Sequence, residues 1–103
     1  MRIHATEGTI IKIYPEEKGI LKNGKPYRKF IFIFKEHEGV TMAVEFFNKC
    51  RQERMIKVNQ KAYLEFYAQS RDFNGKWYTD IKCNGVRSIK EFTEHISNHA
   101  DWM

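Results

Sequence analysis

Thr41-Met42-Ala43-Val44-Glu45-Phe46-Phe47 runs into Asn48-Lys49-Cys50-Arg51-Gln52-Glu53-Arg54-Met55-Ile56. That segment leads on to Gln60-Lys61-Ala62-Tyr63-Leu64-Glu65-Phe66-Tyr67-Ala68-Gln69-Ser70-Arg71. The apolar period changes twice along this stretch. The outer segments alternate with a period of two and are rich in β-branched and aromatic residues, which predicts strands. The middle segment holds helix formers and no Gly or Pro, and Asn48 stands where an amino-terminal cap belongs, which predicts a helix of about two turns.

Working outward, the alternation of Thr9-Ile10-Ile11-Lys12-Ile13-Tyr14 predicts a first strand, stopped by Pro15. Residues 15–26 read as a polar loop containing Asn23-Gly24, a pair suited to a tight turn because both positions tolerate positive φ. Tyr27-Arg28-Lys29-Phe30-Ile31-Phe32-Ile33-Phe34 predicts a second strand, apolar on both faces in its second half. A second Asn-Gly pair, Asn74-Gly75, joins the 60–71 strand to a last one at Trp77-Tyr78-Thr79-Asp80-Ile81-Lys82-Cys83. The predicted fold class is therefore all-β with one short helix. It is a five-stranded antiparallel barrel in the order β-β-β-α-β-β, which is the order of the OB-fold. Closing the barrel would also remove long exposed sheet edges.

The chain divides into a domain over 1–87 and a tail over 88–103. In the tail, Ser88 with Glu91 matches a capping box, and Ile89, Phe92 and Ile96 share one helical face, so a helix is expected over 88–98. The 103 residues suffice for one core. The formal net charge is +5; residues 88–103 hold one lysine against three acids, which leaves +7 on residues 1–87. A basic body suits a polyanionic partner, although many soluble domains carry such a charge for solubility alone. Cys50 and Cys83 form no CxxC motif, and no apolar run is long enough to span a membrane. These features predict buried free thiols in a cytoplasmic protein with no membrane association.

Enzyme readings find no foothold. His4, His37, His95 and His99 are scattered; His95 and His99 lie four apart but lack the Glu of a His-Glu-x-x-His site and a nearby Cys. No nucleophile elbow, phosphate-binding glycine loop or carboxylate pair stands out. The expectation is a protein without catalytic residues, metal or cofactor.

Three stretches resemble the bacterial and phage single-stranded DNA-binding proteins. Val58-Asn59-Gln60-Lys61-Ala62-Tyr63-Leu64-Glu65 and its continuation to Ser70-Arg71 look like that family's fourth strand. Phe46-Phe47-Asn48-Lys49 looks like its exit from the third strand into the helix, and Asn74-Gly75-Lys76-Trp77-Tyr78-Thr79-Asp80-Ile81 like its last hairpin. The last stretch is closer still to short bacterial and phage OB proteins whose final strand reads Asn-Gly-[Arg/Lys]-Trp-Tyr-Thr-Asp. The likeness covers residues 7–85. Two departures stand out: Thr41 replaces the base-stacking Trp that usually begins the family's third strand, and the long acidic-aromatic tail is replaced by sixteen residues ending Asp101-Trp102-Met103.

The resemblance implies binding of single-stranded DNA with little sequence preference, in replication, recombination or repair. RNA stays open as a second ligand, homo-oligomers and tail-bound replication proteins stay open as partners, and Phe47 and Phe73 match aromatics that stack on bases in the family. Strand parity places Phe30, Phe32, Met42, Val44, Phe46, Ala62, Leu64, Phe66, Thr79 and Ile81 inside, with Trp77 ending the row. The outer set is aromatic and basic: Tyr27, Lys29, Ile31, Thr41, Ala43, Phe47, Tyr63, Tyr67, Tyr78 and Lys82. Rings for stacking and cations for phosphates are what sequence-tolerant strand binding requires. The expected site is thus Tyr27, Lys29, Phe47, Tyr63, Tyr67, Phe73, Tyr78 and Lys82, with Lys22, Lys25, Arg71 and Lys76 as phosphate contacts. A structural role for Tyr63 and Tyr67, as cross-strand pairs or as a subunit interface, fits the sequence as well as the binding role does. The same features fit a protein-interaction OB module that binds no nucleic acid.

Overall fold

The computed structural model describes residues 2–50 and 52–88. Six strands make one sheet: β1 (His4–Ile13), β2 (Glu17–Ile20), β3 (Pro26–Glu36), β4 (Thr41–Phe47), β5 (Lys61–Phe73) and β6 (Lys76–Ser88). Of the helix expected over 88–98, Ser88 is instead the last residue of β6, and 89–98 lies outside the described residues.

The long β1 organises the sheet, because its two halves pair with different partners. His4–Thr9 run antiparallel to β5, and Gly8–Ile13 run antiparallel to β3. The pairings then pass from β5 to β6, from β6 to β4 and from β4 to β3, so the series returns to β1. Gly8 sits where β1 changes partner, paired with both Ala62 and Glu36. A Cβ on Gly8 would lie 2.2 Å from the Lys35 carbonyl oxygen and 2.7 Å from the Phe34 ring, so only glycine lets the strands approach there.

The inward rows of these strands meet in a core of Ile10, Phe32, Phe34, Val44, Phe46 and Leu64, all fully buried, with Ala62 and Val86 equally enclosed. Phe30, Met42, Phe66 and Ile81 pack half-buried at its margin. Alternation in β3 and β4 therefore runs as the sequence predicts. The two Asn-Gly turns also form where expected: Gly24 (φ 85°) lies in the turn between β2 and β3, and Asn74 (φ 53°) with Gly75 (φ 80°) joins β5 to β6 in two residues.

Several expectations change. First, the 15–26 loop contains β2, which pairs with Pro26–Lys29, so the sheet has six strands rather than five. Second, the sheet is not wholly antiparallel, because β4 meets β6 in a short parallel pairing at Val44–Ile81 and Glu45–Lys82. Third, the two-turn helix over 48–56 is replaced by a single 3-10 turn, Glu53–Met55. Asn48 (φ 60°) and Gln52 (φ 54°) both adopt the left-handed conformation, which ends any right-handed helix at each position. Asn48 does not cap a helix. Its Oδ1 accepts from the Arg28 amide at 3.0 Å, and its own amide donates to the Arg28 carbonyl at 2.7 Å. The Arg28 guanidinium then grips the connector, donating to the Asn48 carbonyl (2.9 Å) and to both Glu53 oxygens (3.0 and 2.8 Å), with Nε on Glu16 at 2.6 Å. These acceptors raise its pKa, the Glu53 hydrogen bonds first and Glu16 next.

Fourth, Trp77 and Thr79 are exposed, not inside. The β5–β6 hairpin runs on past the core, and every residue from 68 to 79 is exposed on both faces. Among the described residues nothing remains there for an inward row to cover, and the molecule measures 51 Å along its longest axis. The cysteines are half-buried rather than buried.

Candidate nucleic-acid interface

The outward row of β3 and β4 continues onto β5 and β6 to line a groove. Its larger section, a cleft of about 580 Å³, is bounded by Tyr14, Pro15 and Glu17 before and in β2, by Lys29 and Ile31 on β3, and by Glu45 on β4. Gln69, Arg71, Asp80 and Lys82 of the hairpin form the opposite wall. A second section of about 480 Å³ adjoins it and shares Lys29, Glu45, Gln69 and Lys82, adding Leu21, Tyr27, Phe47 and Tyr67.

Three of the predicted aromatics are thus brought together. Tyr27 and Phe47 stack with ring centroids 5.8 Å apart and planes 16° from parallel, and Tyr67 lines the same section. The β5–β6 arm extends the face outward. Arg71 is opposite Tyr78, with its guanidinium 5.6 Å from the ring centroid, and Phe73 is opposite Lys76 at the tip. Residues opposite one another on antiparallel strands share a face, so Tyr67, Gln69, Arg71 and Phe73 line up with Lys82, Asp80, Tyr78 and Lys76. Phe47 is 43% and Phe73 60% exposed, so both rings can take a stacking partner.

Tyr63 is not brought to this groove. Its hydroxyl donates to Glu7 Oε2 at 3.3 Å on the neighbouring β1, and desolvation first, then the nearby Glu7 charge, pushes its pKa up. Of its sequence readings, the cross-strand pair is the one that its contact with Glu7 fits.

The electrostatics of the groove differ from a plain basic track. Each groove cation faces a carboxylate: Lys82 with Glu45, Arg71 with Asp80 at 3.1 Å, and Lys29 with Glu17 at 3.7 Å. Lys82 and Glu45 are each only 21% exposed and form the most enclosed of these pairs. Lys22 and Lys25, in the turn between β2 and β3, and Lys76, at the arm tip, have no ion-pair partner among the described residues. Glu45 and Asp80 are groove residues that carry neither a stacking ring nor a cation, the two features by which the sequence marks a strand-binding site. The strict alternation around Val44 and Phe46 is the signal that puts Glu45 on the outer face.

Among the described residues no group of His, Cys, Asp and Glu could hold a metal ion, and no helix is long and apolar enough to cross a membrane. No family model matches the chain, and no curated protein does. Solved structures do resemble it. The SSB domain of a protein from Synechococcus sp. matches at 12% identity over 84% of this chain and 94% of that one, with a TM-score of 0.48. The N-terminal domain of PriB protein from Thermoanaerobacter tencongensis, a dimeric structure, matches at 13% over 84% and 94%, with a TM-score of 0.49. The second OB-fold domain of replication protein A from Methanococcus maripaludis superposes with a TM-score of 0.60, at 15% identity over 84% of this chain and 82% of that domain. That last likeness, together with the strand pairings above, shows that this chain has the OB fold.

Proposed function

We propose that this protein binds single-stranded DNA with little sequence preference, as a component of replication, recombination or repair, and that it does so without catalysis. The observation that carries the reading is the assembly of Tyr27, Phe47 and Tyr67 in one groove with Lys29 and Lys82, continued along the arm by Arg71, Tyr78 and Phe73. On this reading the ring of strand pairings is a closed barrel. Bases stack on the rings, while the backbone meets Lys29 and Lys82 in the groove, Lys22 and Lys25 at one end and Lys76 at the other. Stacking on an aromatic serves any base, which makes such a site tolerant of sequence. The neighbour with a TM-score of 0.60, a domain of replication protein A, agrees with this reading.

Because each groove cation already faces a carboxylate, stacking supplies a larger share of the affinity than in a purely basic groove. The test is fluorescence anisotropy of a labelled oligo-dT strand across a salt series. Saturable binding that weakens as salt rises is expected, because bound cations are released from the strand. No binding at low ionic strength overturns the reading. The balanced charge of the groove also fits a protein partner, the second reading. That reading predicts a protein which forms subunit or partner complexes and leaves the labelled strand free.

A further inference from the structure

Trp77 faces away from the aromatics described so far. It lies opposite Asp72, one step along the ladder from the Phe73–Lys76 pair, and alternation therefore puts it on the back of the arm. It is 72% exposed, more than Phe73 at 60%. It makes no hydrogen bond, ion pair or ring contact among the described residues. Between Trp77 and the Ala68–Ile81 pair at the base of the arm, the back face is polar and internally satisfied. The Ser70 and Thr79 hydroxyls are hydrogen-bonded to each other at 2.9 Å, and Asp72 Oδ1 accepts from the Gly75 amide at 3.1 Å. A lone indole on that face contributes nothing to the packing of the arm.

We propose that Trp77 is a further base-stacking residue for the same single strand, which passes round the tip of the arm onto its back face instead of ending at Phe73. The inference rests on the single-strand reading above. Its occupant follows from continuity: Arg71, Tyr78 and Phe73 lead out of the groove along one face, and Lys76 stands at the tip directly before Trp77 in the chain. Only the two-residue Asn74-Gly75 turn closes the arm between the two faces, and among the described residues no body of protein stands in the path. An indole offers the largest ring for stacking, and like the other rings it accepts any base.

The chain has two tryptophans, Trp77 and Trp102, so W102F leaves Trp77 as the sole indole emitter. Titration of W102F with an unlabelled oligo-dT strand is expected to quench that emission, saturating at the same strand concentration as the anisotropy signal. In the full chain, W77A is expected to weaken strand binding roughly 5- to 150-fold, with W77Y retaining most of the affinity. Parental affinity in W77A overturns the proposal. So does a W77A protein that sediments as a smaller species with unchanged affinity per chain, which would assign Trp77 to a contact between copies. If the parent chain does not bind the strand at all, the single-strand reading fails and this inference with it; if the parent binds and W77A matches it, only this inference fails.

Discussion

Tyr27 and Phe47 stack across the β3–β4 ladder, with ring centroids 5.8 Å apart and planes 16° from parallel, at the rim of the groove. Because Phe47 is directly opposite Lys29, Tyr27 reaches it diagonally, and the pair forms a platform before any ligand arrives. A platform already in place spares a ligand the cost of ordering those side chains.

Phe47 and Phe73 are expected to separate affinity from stability. Phe73→Ala removes a ring that covers no core and should cost about 1–3 kcal/mol in oligo-dT affinity, with no change in melting temperature. Phe47→Ala should cost affinity on a similar scale and also lower the melting temperature, because it removes the stack on Tyr27. Anisotropy and thermal unfolding on the same samples check both; unchanged affinity in Phe73→Ala would remove the arm tip from the site.

The Lys82–Glu45 pair gives a sign that a simple basic groove would not. Glu45→Gln frees the Lys82 ammonium to meet a phosphate, so affinity at low salt should rise. The slope of log affinity against log salt should steepen by roughly 0.7, the contribution of one phosphate contact on a single strand. Lys82→Ala should weaken binding. A salt series on the two variants is the measurement, and a fall in affinity for Glu45→Gln would contradict the proposed competition between carboxylate and phosphate.

Gly8→Ala tests the point where β1 changes partner. Its new methyl would meet the Lys35 carbonyl oxygen and the Phe34 ring at distances that force the backbone to move. The expected loss is about 1–3 kcal/mol or more, the usual cost of overfilling a packed site. In a domain of this size each kcal/mol corresponds to a fall of roughly 4–8 °C in melting temperature. A melting temperature equal to that of the parent would show that the two pairings can part without cost.

The two thiols are expected to react in a fixed order. Cys50 and Cys83 interact directly at the edge of the core, and hydrogen bonding from Cys83 holds the Cys50 pKa below the ordinary thiol value. The same contact, with burial added, pushes the Cys83 pKa up. Since the thiolate is the nucleophile, raising the pH from neutrality should bring iodoacetamide labelling at Cys50 first. Cys83→Ala removes the donor and should slow labelling of Cys50 at the same pH. Peptide mapping by mass spectrometry reads the order, and equal rates at the two positions would refute it.

Features that depend on a few adjacent residues are legible from the amino-acid order alone. The alternation of Phe30, Phe32 and Phe34, and of Val44 and Phe46, fixed which face of β3 and β4 is buried. Asn-Gly fixed both tight turns, because positive φ is cheap for those two residues and for few others. From the same parity came the outward row of Tyr27, Lys29, Phe47 and Tyr67. Tertiary structure decided whatever depends on partners far along the chain. The 48–56 segment has the composition of a helix, yet Arg28, twenty to twenty-five residues away, holds Asn48 and Glu53 in a non-helical connector. Strand β2 exists because β3 offers its edge, and its own four residues, Glu17–Ile20, carry no strand pattern. Trp77 alternates like a core residue, but the core ends before the arm does, and alternation carries no information about where a core ends. The pairing of Lys82 with Glu45 joins residues 37 apart, so only the fold reveals that the groove balances its own charge.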